Sequence, residues 1–190
     1  NYNLYNLQGS IVESGNIDKI DATIGECLYA GVMTDTGSFR FPSTKASVHK
    51  MVYELKERGL EHSHVHEALF DNFLENRFRF IGHVLSNRME VFYEYNTVLM
   101  SITQADLIKY NVKTGDTEGL VNYGLSIQGI KLAAVIIDRG EERKSSFRSK
   151  GGFDVNTFAR KYFNGGGHFN AAGGFNKVPL EEVVIKFKEA

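Results

Sequence analysis

From Asn164 to Gly174 the chain reads Asn-Gly-Gly-Gly-His-Phe-Asn-Ala-Ala-Gly-Gly, a stretch nearly without side-chain bulk. A backbone so unencumbered can come close to a ligand, and phosphate-binding loops need that closeness because their amides do the holding. Within the stretch His168 is the side chain able to donate to a phosphate oxygen. The plainer alternative is a flexible turn between two elements, and these residues alone leave both readings open. Either way, Gly165, Gly166, Gly167 and His168 are expected to form a loop.

Two more segments carry chemistry. Ser146-Phe147-Arg148-Ser149-Lys150 puts an arginine at an expected strand end, where its planar fork of donors suits a phosphate and hydroxyls such as Ser149 add more. A basic strand end on a solvated surface is the competing reading. Thr34-Asp35-Thr36-Gly37-Ser38-Phe39 places an aspartate at the end of an apolar helix among hydroxyls. Asp35 is there either a metal ligand or a turn residue bonding its own backbone. His62, His64 and His66 alternate, and this spacing of two reads as a solvated helix start rather than a metal pair.

Hydropathy patterning supplies the frame. Helical periods are expected over Asp18–Met33, from a cap at Ser43 or Thr44 to Gly59, over Ser63–Phe73 and over Glu75–Asn87, the last with Phe78, Ile81, Gly82 and Leu85 inward. The period then changes. Met89–Tyr95 and Thr97–Ile102 read as a hairpin, and Lys131–Asp138 and Lys144–Arg148 as two further strands. Helices are expected over Thr103–Tyr110, over Thr117–Tyr123, from a cap at Asp154 to Tyr162, and after Pro179. The expected division is a poorly defined terminus at 1–16, a mainly helical part at 17–88 and an α/β part with a mixed sheet at 89–190.

Charge and cysteine content narrow the partners. Twenty-two basic residues face twenty-three acidic ones, so no wide basic surface is expected and any nucleic-acid ligand must be short and locally held. The single cysteine, Cys27, lies in an apolar stretch and excludes an intrachain disulfide, which fits a reducing cytoplasm. No apolar run approaches the roughly 20 residues that span a bilayer, and no leader is recognisable.

Together, Thr34–Phe41, Ser146–Lys150 and Gly165–Gly174 resemble the DHH/DHHA1 phosphoesterases, over about Ile17 to the end. Thr34–Phe41 is similar to the fourth motif of the DHH domain, whose aspartate binds a catalytic manganese. Ser146–Lys150 and the Gly-Gly-Gly-His segment are similar to the DHHA1 substrate domain. Within the family, the bacterial nanoRNases and 3′-phosphoadenosine 5′-phosphate phosphatases, often labelled exopolyphosphatase-related, are the nearest in pattern. The resemblance implies a hydrolase that cleaves short oligoribonucleotides or a nucleotide bisphosphate with a water bridging two manganese ions. It implies that Asp35 holds one ion. Arg148, Ser149 and Gly165–His168 would then grip a substrate phosphate across an interdomain cleft. A homodimer is compatible with it.

One departure counts against activity. The family completes its metal site with an amino-terminal HxxxDxD motif, a further aspartate and the Asp-His-His triplet, and none of these occurs here. The expectation is a truncated chain that binds substrate poorly and hardly turns it over. The alternatives are a non-catalytic nucleotide-binding module, a cyclic-dinucleotide phosphodiesterase and an inorganic pyrophosphatase, although the last family lacks the Gly-Gly-Gly-His segment.

Overall fold

The computed structural model describes residues 19–41 and 44–190. The expected terminus at 1–16, the helix start at Asp18 and the cap at Ser43 lie outside the described residues. The chain divides into two compact units between Phe73 and Leu74.

The first unit carries α1 (Ala22–Asp35), α2 (Ala46–Glu57) and α3 (His62–Phe70). Asp21 starts α1 by accepting from the Ile24 amide at 2.8 Å, a side-chain cap for one of the unpaired first-turn amides. Tyr29, Val32 and Met33 of α1 meet Val48, Met51 and Leu55 of α2 and Val65 of α3 in one apolar cluster. Cys27 falls on the exposed side of α1 instead of in the core. Lys45 caps α2 without a side-chain bond.

The second unit is α/β. Its elements are α4 (Glu75–Asn87), β1 (Met89–Phe92), β2 (Thr97–Ile102), α5 (Gln104–Lys109), α6 (Leu120–Leu125), β3 (Leu132–Asp138), β4 (Arg143–Ser149), α7 (Val155–Tyr162), β5 (Gly166–His168), β6 (Ala171–Asn176) and α8 (Leu180–Glu189). They build a six-stranded mixed sheet in the order β1-β2-β3-β4-β6-β5, in which β2 and β3 are parallel and the other pairs antiparallel. Among the described residues, no helix is long and apolar enough to cross a membrane.

Alternation along β3 explains its nearly unbroken apolar run. Ala133, Val135 and Ile137 face one cluster with Phe80, Ile81 and Val84 of α4 and Leu120 and Val121 of α6. Ala134 and Ile136 face the other, with Phe147, Phe158, Phe163 and Phe187. A strand covered on both faces has no polar side to show. On the first face α6 sits so close that a Cβ on Gly124 would lie 2.8 Å from Met100 and Val98.

Several expectations are corrected. The boundary lies before α4 and not at residue 88, because α4 packs into the same core as β2 and β3. The inward stripe of α4 is Phe80, Ile81 and Val84, whereas Phe78 is exposed. Helix α6 starts at Leu120, after Gly119 at φ 76°, and not at Thr117 as its period suggests. Gly166, Gly167 and His168 are not a loop but the edge strand β5, paired with β6, and only Gly165 stays outside a strand.

Gly82 lies in α4 with open space where a Cβ would stand. Gly82→Ala should therefore raise stability by up to about 1 kcal/mol, the helix propensity difference, read as a higher urea midpoint.

Candidate functional site

Close backbone packing is the reason for the glycines. A Cβ on Gly165 would collide with the carbonyl of Gly173 and lie 2.5 Å from the Gly174 Cα. One on Gly167 would meet Ala171 and Ala172, and one on Gly174 would meet the Phe163 carbonyl. Gly165→Ala should cost about 1–3 kcal/mol, because backbone rather than a movable side chain must shift, seen as a lower urea midpoint. The amides are also engaged: Gly165 N–H donates to Ala159 O at 3.2 Å and Gly167 N–H to Asn156 Oδ1 at 2.9 Å. The expected cradle of glycine amides is thus largely committed to the fold.

The β5–β6 hairpin ends in the two-residue tip Phe169-Asn170. The Asn170 side chain donates to Ser149 Oγ at 2.9 Å and to Gly151 O at 3.2 Å, while Ser149 Oγ donates to Phe153 O at 2.7 Å. Val155 N–H donates to Phe169 O and Ser149 N–H to Asn170 O. Ser149 is buried and holds the tip in place, so its hydroxyl is turned away from any phosphate on the other face.

Register brings the remaining two residues together. Arg148 stands opposite Ala171, and Ala171 opposite His168. Directly opposed residues of antiparallel strands project from the same face, and strands lie about 4.8 Å apart. Arg148 and His168 therefore flank Ala171, with roughly 10 Å between their backbones, a gap that two long side chains can close on one small anion. His168 is exposed and Arg148 half-buried. The guanidinium donates from Nη1 to Phe147 O at 3.0 Å, and no carboxylate pairs with it among the described residues. Burial pulls its pKa below the ordinary arginine value, though arginine stays protonated in proteins.

Asp35 ends α1 in the first unit and is exposed. The turn that follows does not depend on it. Thr36 is buried: its Oγ1 donates to Val32 O at 2.7 Å and accepts from Phe39 N–H at 3.0 Å, and its carbonyl accepts from Arg40 and Phe41. These bonds hold Gly37, Ser38 and Phe39 all at positive φ, a conformation costly for the two non-glycine residues. The Asp35 carboxylate makes no hydrogen bond or ion pair among the described residues.

His62 and His66 are four residues apart, so they share one face of α3, a relation hidden by the alternating pattern. Their rings are 6.2 Å apart, His66 Nε2 is 3.0 Å from the Tyr29 hydroxyl, and His62 Nδ1 is 3.0 Å from Lys56 Nζ. Burial pushes the Tyr29 hydroxyl pKa up. Among the described residues no three histidine, cysteine, aspartate or glutamate side chains gather as a metal site.

Asp106 did not stand out in the sequence. It is buried at the start of α5 and accepts from His83 Nε2 at 2.8 Å, Arg88 Nη2 at 3.0 Å, and the Thr103 amide and hydroxyl at 3.0 and 2.7 Å. The Thr103-x-x-Asp106 spacing of a capping box was its signal.

Residues 95–190 match the DHHA1 domain. The chain is 30% identical over 155 residues to the bifunctional oligoribonuclease and PAP phosphatase NrnA of Bacillus subtilis, covering 82% of this chain and 48% of that protein. It is 31% identical over 170 residues to the protein of the same name from Thermus thermophilus, covering 89% and 50%. The chain spans about half the length of these relatives. The crystal structure of an exopolyphosphatase-related protein from Bacteroides fragilis superposes with a TM-score of 0.90 at 36% identity, over 94% of this chain and 52% of that one. With half of its residues matched to that domain, the chain belongs to the DHHA1 family.

Proposed function

We propose that this chain is the substrate-holding part of a metal-dependent phosphoesterase of short oligoribonucleotides or nucleotide bisphosphates, working in the cytoplasm. One observation carries this reading. Arg148 and His168 stand on one sheet face on either side of Ala171, and no carboxylate among the described residues neutralises the arginine. A half-buried cation without a counter-charge suits an anionic ligand, and its fork of donors suits a phosphate. The names of the relatives, oligoribonuclease and PAP phosphatase, support phosphorylated nucleotides as that ligand.

Asp35 is the residue we assign to manganese, as the similarity of Thr34–Phe41 to the fourth DHH motif implies; its carboxylate is exposed and makes no hydrogen bond or ion pair among the described residues. The described residues by themselves do not fit a two-metal site, because one carboxylate supplies too few oxygen ligands. Their chemistry is therefore that of holding a phosphate, and we expect the chain to bind a phosphorylated dinucleotide without cleaving it when manganese is added. The non-catalytic module is the second reading, favoured because both gripping residues belong to the second unit.

Losing a charged hydrogen bond to bound phosphate costs about 1.5–3 kcal/mol, or roughly ten- to a hundredfold in affinity. Calorimetric titration with a 5′-phosphorylated dinucleotide should show that loss for Arg148→Ala and a smaller one for His168→Ala. Unchanged affinity in both variants would remove the grip. Cleavage of the dinucleotide by this chain with manganese would contradict the expected inactivity.

A further inference from the structure

The face that bears Arg148 and His168 extends along β4 and β6. Ser145, Phe147 and Ser149 are buried on one side of β4, so Lys144, Ser146 and Arg148 occupy the other. Pairing carries that side across to β6, where Arg148 faces Ala171, Ser146 faces Gly173 and Lys144 faces Phe175. The result is a strip with a cation at each end, a hydroxyl and a glycine at its middle, and an aromatic ring beside the far cation. Gly174, next to Phe175, lies against the Phe163 backbone and leaves Phe175 turned outward.

Lys144 is exposed, and Phe175 is 45% exposed. Among the described residues, Lys144 pairs with no carboxylate and the Phe175 ring contacts no other ring. No acidic residue stands on the strip. An exposed phenylalanine alone calls for no explanation. Its alignment with the phosphate grip, on a face where every charge is positive, does call for one.

Arg148 and Lys144 are four positions apart along β4, or about 13 Å. A ligand anchored by its phosphate at Arg148 would therefore need to extend along the strip to meet Phe175, as the next nucleotide of a strand would. We propose, building on the phosphate grip above, that Phe175 and Lys144 form a second subsite for the second nucleotide of a short single-stranded oligoribonucleotide. Phe175 stacks on its base, and Lys144 holds the phosphate that links the two nucleotides. Stacking on an aromatic ring tolerates any base, so the subsite selects length rather than sequence.

Calorimetric titration separates this subsite from the grip. The ligands are a 5′-phosphorylated adenine dinucleotide, adenosine monophosphate and the unphosphorylated dinucleotide. The proteins are wild type, Phe175→Leu, Phe175→Trp, Lys144→Ala and Arg148→Ala. Phe175→Leu should weaken the phosphorylated dinucleotide by about five- to a hundredfold while monophosphate affinity stays the same. Phe175→Trp should restore it, and Lys144→Ala should weaken the dinucleotide alone. The proposal is overturned if Phe175→Leu affects both ligands alike or neither, or if tryptophan does no better than leucine. It is also overturned if the substitution converts a dimer to a monomer in sedimentation, since a second copy then covers the face. Loss of the grip itself reads differently: Arg148→Ala would leave both phosphorylated ligands unchanged, and this proposal would fall with it.

Discussion

Replacing Asp106 by alanine should destabilise the second unit by about 3–5 kcal/mol, the usual cost of removing one partner of a buried ion pair. The carboxylate is 5% exposed and ties the end of α4 to the start of α5, through His83 in α4, Arg88 just after it, and Thr103 at the cap of α5. Arg88 Nε also lies 2.8 Å from Asp106 Oδ2. Without the carboxylate, His83 and the Thr103 amide lose their acceptor, while Arg88, more open to water, suffers less. Amide hydrogen exchange in β2 and β3 is the appropriate measure, because those strands belong to the second unit alone. Burial pushes the Asp106 pKa up, but the hydrogen bonds from Arg88, Thr103 and His83 outweigh it and hold the carboxyl well below the usual carboxylate range. A group whose folded pKa is depressed contributes fully above its unfolded value, about 3.9. That contribution is lost as pH falls below this value. The wild-type protein should therefore lose its advantage over Asp106→Ala in acid, and a constant difference down to the lowest accessible pH would contradict the role given to Asp106.

Phe147→Ala should be similarly costly, about 3–5 kcal/mol for emptying a large buried aromatic site. Phe147 is fully buried, with its ring centroid 4.8 Å from Phe163, 5.4 Å from Phe158 and 6.2 Å from Phe187. It is also the inward neighbour of Arg148, whose guanidinium donates to its carbonyl. A cavity beneath β4 would loosen the strand that positions the grip. The variant should thus lose stability by hydrogen exchange and bind a phosphorylated dinucleotide more weakly, whereas Phe147→Leu should do less of both. Equal exchange rates in wild type and Phe147→Ala would show that the cluster does not hold β4.

Much of the second unit was legible from local signals. Glu75–Asn87 has the limits expected from its period, and Asp154 opens α7 by accepting from the amides of Asn156 and Thr157. The β1–β2 hairpin forms as expected around Asn96, at φ 50°, although Tyr93–Tyr95 make a short 3₁₀ turn. What local pattern could not show was pairing between distant segments. The glycines read as a loop because their reason, contact with Gly173, Ala171 and Phe163, exists only once β5 and β6 are paired. Ser149 read as a ligand for the same reason, since its partners Asn170 and Phe153 come from later in the chain. Helical phase misled at Phe78, where the bulky neighbour Phe80 took the core position. After α1 the turn is built by Thr36 and not by Asp35, because the Thr36 hydroxyl folds back onto the helix end and accepts from Phe39 N–H, contacts that the local pattern does not single out.

Everything proposed for this face depends on Arg148 and His168 holding a terminal phosphate. The decisive quantity is the affinity of the wild-type chain for one dinucleotide with and without its 5′-phosphate, measured side by side by calorimetry. The phosphorylated ligand should bind at least about tenfold more tightly, and Arg148→Ala should abolish most of this difference. Equal affinity for the two ligands would mean that the face grips no phosphate.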